Sequence, residues 1–193
     1  MSDNESLNLE GHFLIAMPSK ELDLFDGSVI YVFSHNEDGA VGFIINQPST
    51  IPFHDLVGDI TEYGVSEEEA KEKTAPHLVY FGGPVNDDKG FVIHTLDKTY
   101  RSTIDKSDLR MTSSKDILID IAKGEGPIHF MLTLGYAGWD AGQLEEEIAD
   151  NVWLTVKAST DIIFKCPVSE RYYRAIKLLG FDPSLLSGEA GHA

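Results

Sequence analysis

Two apolar, β-branched runs lie on either side of a four-residue turn signal near the N-terminus. Val29, Ile30, Tyr31, Val32 and Phe33 form the first, and Val41 to Asn46 the second; Asn36, Glu37, Asp38 and Gly39 separate them. Apolar runs joined by a short polar loop ending in glycine predict a β-hairpin. A hairpin is antiparallel by construction, so a purely parallel sheet is excluded and a mixed sheet is expected.

The remaining punctuation places helices around that sheet. Gly11 to Met17 reads as a buried strand stopped by Pro18, and Ser19 to Ser28 as a short helical turn. Phe53 to Asp59 and Ser66 to Lys73 are expected as helices, the second opened by a capping box of Ser66 with Glu69. Leu78 to Phe81, Gly90 to Thr95, Ile128 to Leu134 and Val152 to Val156 read as strands, and Leu109 to Met111 as a short one. Residues 96 to 105 read as a loop. Ser113 or Ser114 is expected to cap a helix ending at Gly124, with Ile117, Leu118, Ile121 and Ala122 on its apolar face. Asp140 is expected to open another helix with Gln143 at the reciprocal position. Asp161 to Phe164 is a short element, and Ser169 to Leu179 an amphipathic helix closed by Gly180. The expectation is one α+β domain over residues 1–193, with 1–8 and 188–193 mobile.

Charge narrows the partners. The 193 residues carry a net charge of −17, and residues 1–69 contain fourteen acids against one base, Lys20. Such a surface repels phosphate backbones and anionic lipids, so direct nucleic-acid binding is not expected. Solubility accounts for much of this charge; an acidic face for a basic partner is the sharper reading. The single cysteine, Cys166, cannot form an internal disulfide and reads as an ordinary thiol beside Lys165. Met1 to Glu10 lacks the features of a secretory signal, and no apolar stretch reaches membrane-spanning length. The expected compartment is the cytoplasm.

No zinc spacing, phosphate-binding loop or nucleophile elbow occurs among these residues, so no catalytic residue, metal or cofactor is assigned. The triplets Glu67-Glu68-Glu69 and Glu145-Glu146-Glu147 fan around a helix and read as solvated faces. Six residues remain as candidates for binding a ligand or partner. Gly82 and Gly83 lie in a turn between strands. Trp139 and Gln143 lie in a glycine-rich loop, Gly135 to Gln143, that leads from a strand into a helix. His94 ends an apolar strand, and Asn46 ends the hairpin.

These segments occur in an order that resembles the bacterial YqgE/AlgH family. The markers are GHFLIAMP at 11–18, GAVGFIINQP at 39–48, GGPV at 82–85, GFVIH at 90–94, GYAGWDAGQLEEE at 135–147, NVWL at 151–154 and the terminal GHA. The resemblance implies a cytosolic α+β domain with a curved, mixed sheet flanked by helices. It implies no activity, although some members carry the label of transcriptional regulator, linked to alginate production. The expected function is a binding or regulatory module for a protein or small molecule, with Asn46, Gly83, His94 and Trp139 on one concavity. The alternatives are a transcriptional regulator, direct or indirect, and an enzyme using His94 as acid or base with Asn46 or Gln143 polarising its substrate. Oligomeric state is not legible.

Overall fold

The computed structural model describes residues 7–16, 24–106, 108–180 and 182. The expected strand stop at Pro18, the first half of the expected turn at 19–28 and the expected mobile ends at 1–6 and 188–193 lie outside the described residues. The chain divides into two compact units, residues 1–46 with 138–193, and residues 47–137.

In the first unit, β1 (His12–Ala16) runs between β2 (Val29–Asn36) and β9 (Trp153–Lys157), and β2 also pairs with β3 (Gly39–Ile44). All pairs are antiparallel. The central position of β1 explains its uninterrupted apolar sequence: Phe13 to Ala16 are fully buried, so no residue in that stretch faces water. The expected hairpin is present. Glu37 and Asp38 make a two-residue turn, and Asn36 pairs with Gly39. Helices α4 (Gln143–Ala149), α5 (Thr160–Phe164) and α6 (Val168–Lys177) complete this unit. From α6, buried Arg171 donates to the carbonyl of Ile45 and, at 3.1 Å, to that of Cys166. A charge is thereby buried on backbone acceptors at the end of β3.

In the second unit the strand order is β6 (Thr103–Asp105), β7 (Arg110–Thr112), β5 (Val85–His94), β8 (Phe130–Asp140), all antiparallel. Strand β4 (Val79–Phe81) adds to β8 in parallel, Tyr80 opposite Thr133, so the pairing is mixed as expected. The last three residues of β8 belong to the first unit and lie beside β3. Helices α1 (Phe53–Val57), α2 (Glu67–Thr74) and α3 (Asp116–Lys123) pack on one another over a core that includes Phe53, Val57, Val92, Ile117 and Leu132. The capping box opens α2: Ser66 accepts from the Glu69 N–H, and the Glu69 carboxylate accepts from the Ser66 N–H.

Several boundaries differ from the sequence reading. Thr103 to Asp105, expected within a loop, forms β6 because β7 offers a free edge. Strand β5 starts at Val85, five residues early, across an irregularity between Val85 and Gly90. Ile128, expected in a strand, is exposed, and β8 starts at Phe130. Strand β8 then runs through Gly135 to Asp140, expected as a loop, because its backbone is held by neighbouring strands. Helix α4 accordingly starts at Gln143 behind a left-handed Gly142. Helix α3 starts after Lys115, without a side-chain cap from Ser113 or Ser114; Gly124 ends it as expected.

Gly39 (φ +134°) sits where a Cβ would lie 2.1 Å from the backbone oxygen of Trp139. Gly27 (φ +68°) has open space around it. Gly39→Ala is therefore expected to destabilise the protein by more than about 3 kcal/mol, through backbone displacement plus strain. Gly27→Ala is expected to cost about 1 kcal/mol, from conformation alone. Urea unfolding of the two variants measures the contrast, and equal losses would contradict it.

Candidate functional site

The six sequence candidates are all held by their own unit. Asn46 accepts the Val29 N–H (2.9 Å) and donates to the Gly27 carbonyl (2.8 Å), which closes the start of β2. Gly82 and Gly83 let β4 press on the backbone of β8. A Cβ on Gly82 would meet the Gly135 oxygen at 2.3 Å, and one on Gly83 the Tyr136 carbonyl carbon at 2.2 Å. His94 has no exposed surface. Its Nδ1 faces the Thr95 carbonyl at 2.9 Å, so that nitrogen carries the proton. Nε2 then accepts from the Thr112 hydroxyl (2.8 Å), which in turn accepts from Thr103 (2.8 Å). Burial, assisted by Arg110, pushes the His94 pKa below its usual 6.5, against a smaller opposing effect of the Thr95 carbonyl.

Trp139 and Gln143 are brought together by Glu147, one of the acids expected on a solvated face. The Glu147 carboxylate accepts the indole N–H of Trp139 (2.8 Å) and of Trp153 (2.8 Å) on one oxygen, and the Gln143 amide (3.0 Å) on the other. The two indoles meet edge-on, 6.2 Å between centroids. Trp139 is buried, and Gln143 also accepts the Asp140 N–H at the expected reciprocal position.

The same helix corrects the reading of Glu145 to Glu147 as a solvated face. Glu146 is exposed, but Glu145 and Glu147 are half-buried and partnered. Glu145 accepts from His35 Nε2 at 3.0 Å, while His35 Nδ1 accepts the Leu9 N–H at 3.1 Å. That acceptor role puts the imidazole proton on Nε2, so a neutral, buried His35 ties the segment before β1 to α4. A cavity of about 370 Å³ opens there, beside Leu7, Asn8 and Asp38. The only sequence signal for this pair was a histidine in an apolar strand; its partner is 110 residues away.

None of the six candidates lines a further cavity rich in ionisable groups. That cavity, about 380 Å³, opens between α1 and α2 of the second unit. Asp55 and His54 approach within 2.9 Å on α1, and Lys71 and Glu67 within 2.6 Å on α2. Asp59 lies on the connecting loop, where the Thr61 N–H and hydroxyl (2.9 and 2.7 Å) hold its pKa below the usual carboxylate value. Lys71 does the same for Glu67. Three carboxylates thus share one open cavity with His54 and a single lysine, an arrangement that favours a cationic guest. Among the described residues no group of three or more His, Cys, Asp and Glu is placed to hold a metal ion. No described helix is long and apolar enough to cross a membrane.

The family model described as AlgH-like matches residues 13–184. The chain belongs to the AlgH-like family. It is 49% identical over 190 residues to a UPF0301 protein of Chromobacterium violaceum, covering 98% of this chain and 100% of that one. A UPF0301 protein of Ralstonia nicotianae is 47% identical over 193 residues, covering 100% and 99%. The solution structure of the AlgH protein from Pseudomonas aeruginosa matches with a TM-score of 0.77 and 40% identity over the whole of both chains. A crystal structure from Corynebacterium diphtheriae shares the fold at 21% identity, with a TM-score of 0.64 over 88% of this chain and 86% of that one. The family is one of unsettled biochemical function, and none of these names states a ligand or a reaction.

Two outcomes follow from the buried polar groups. Glu147→Ala leaves two indole N–H groups without their acceptor. It is expected to cost on the order of 2–3 kcal/mol and to alter the fluorescence of Trp139 and Trp153; an unchanged emission spectrum would refute the shared carboxylate. His94 has its pKa lowered by burial. Above about pH 6.5 its contribution to stability is complete. Below it the unfolded chain binds a proton that the folded chain refuses, so stability falls as pH drops toward the depressed value. Urea midpoints measured from pH 8 to pH 5 should decline over this range, and the decline should shrink in His94→Gln.

Proposed function

We propose that this chain is a cytoplasmic binding and regulatory module that holds a cationic segment of a partner protein. The reading rests on one observation. Between Asp55 and Glu69 there are six acids and no lysine or arginine, and three of those acids line the α1–α2 cavity. A lysine or arginine side chain fits the charge of that cavity, and guanidinium groups bind carboxylates through two parallel hydrogen bonds. Exposed Tyr63 and Ile51 lie on the flanking segments and supply apolar contact area of the kind that anchors interfaces. Regulation in this reading is indirect: the module acts through its protein partner and does not grip DNA, whose phosphates its net charge of −17 repels. An acid–base role for His94 forms no part of the proposal, because that imidazole has no contact with solvent.

Fluorescence anisotropy with an arginine- and lysine-rich peptide, an acidic control peptide and duplex DNA tests the idea. The basic peptide alone should bind, more weakly as salt rises, since exposed charges are screened within about 8 Å at physiological ionic strength. The triple change Asp55→Asn, Asp59→Asn and Glu67→Gln should weaken that binding about tenfold or more while the thermal unfolding profile persists. Unchanged affinity in the triple variant, or a tight and salt-sensitive DNA complex, would end the proposal.

A further inference from the structure

A second cavity in the same unit has a different chemistry. It measures about 230 Å³, below the roughly 300–1,000 Å³ of pockets for drug-sized ligands, so its occupant is small. Its floor is a row of directly paired residues, Thr112, Val92 and Leu132, on three adjacent strands. Leu56 of α1 and Leu118 of α3 wall it. Ser113, Ser114 and Lys115 stand at its edge, in the turn from β7 into α3.

The slot exists because of Gly90. In a strand, residues two apart face the same side, so Gly90 lies on the face that carries Val92, without a side chain to fill it. At three other positions of this unit close approach demands glycine: Gly82, Gly83 and Gly135 meet backbone atoms at 2.2–2.3 Å from an ideal Cβ. Gly90 is under no such demand. Its φ lies outside the left-handed region, and a Cβ there would make one ordinary contact, 3.4 Å to Leu132 Cδ1. The space beside it is therefore a vacancy that packing does not require.

We propose that this slot is a binding site for a small alkyl carboxylate. The alkyl chain lies on Val92 and Leu132 between Leu56 and Leu118, where burial of each methylene is favourable. The carboxylate lies at Lys115 and Ser113. Lys115 carries its ammonium beside Gly58, at the end of the helix that supplies Leu56, and attracts Asp59 through space, so a guest carboxylate competes with Asp59 for it. Ser113 shares its hydroxyl with Ser102 (3.1 Å). Asp116, the first residue of α3, is engaged by the Ser114 hydroxyl and by the N–H groups of Arg101 (2.9 Å) and Ile117 (3.1 Å). The site does not depend on recognition of a basic partner at the α1–α2 cavity, and either can fail alone.

Amide chemical shifts followed by NMR during titration with octanoate, octanol and octylamine, each below its aggregation concentration, test the proposal. Octanoate should give saturable shifts centred on Leu56, Gly90, Val92 and Lys115, with octanol weaker and octylamine weakest. Gly90→Leu fills the slot and should abolish binding with the unfolding temperature retained or raised. If that variant does not fold, Gly90→Ala, whose added methyl makes only the one ordinary contact, should weaken binding several-fold. Lys115→Ala should weaken octanoate about three- to fivefold, the size of an exposed ion pair, and leave octanol unchanged. No saturable shift with the native chain, octylamine binding as tightly as octanoate, or octanoate affinity unchanged in a folded Gly90 variant would each overturn it.

Discussion

A single carboxylate, that of Glu147, organises the first unit. It stands on α4 and accepts both indole N–H groups of the chain, one from the end of β8 and one from the start of β9. Buried indoles need acceptors, and a carboxylate with two lone-pair sets per oxygen can serve two of them at once. The arrangement locks α4 over the ends of two strands. Trp153, held there, packs edge-on against Phe25 and begins the strand that pairs with β1. His35 and Glu145 add a second tie from the same helix to the segment entering β1.

The second unit depends on the close approach of backbones. Strand β4 enters it in parallel beside β8, and the turn that follows β4 runs so near β8 that only glycine fits at 82, 83 and 135. Behind this, α1, α2 and α3 cover an aliphatic and aromatic core. The chemistry of the unit lies at its surface, where α1 contributes to both cavities. His54 and Asp55 turn toward the acidic cavity, and Leu56 toward the apolar slot. Consecutive helix residues point about 100° apart, so one turn of helix serves both.

Much of the fold was legible because its signals are local. The β2–β3 hairpin needs only two β-branched runs and a short turn. The capping box needs only Ser66 and Glu69 three residues apart, and the left-handed stop at Gly124 needs one glycine. The candidate residues were legible as unusual but not as to role. Gly82, Gly83, Asn46 and His94 stood out, and each is engaged by backbone or hydroxyl groups distant in sequence. Glu145 and Glu147 were misread because a run of three acids on a helix looks the same whether its flanks face water or a pair of tryptophans. The glycines of β8 resembled a loop because the strands that straighten it lie far away in the chain.

Composition and local pattern alone determined the α+β class, the hairpin and most helix ends, since each follows from side-chain volume, backbone freedom or charge within a few residues. Tertiary structure alone decided which acids are partnered, that His94 lies beyond the reach of solvent, and that Gly90 opens a cavity while Gly83 closes a contact. Those outcomes depend on which atoms from distant segments come within about 3–4 Å, the range over which hydrogen bonds and packing act, and a linear order of residues does not specify that.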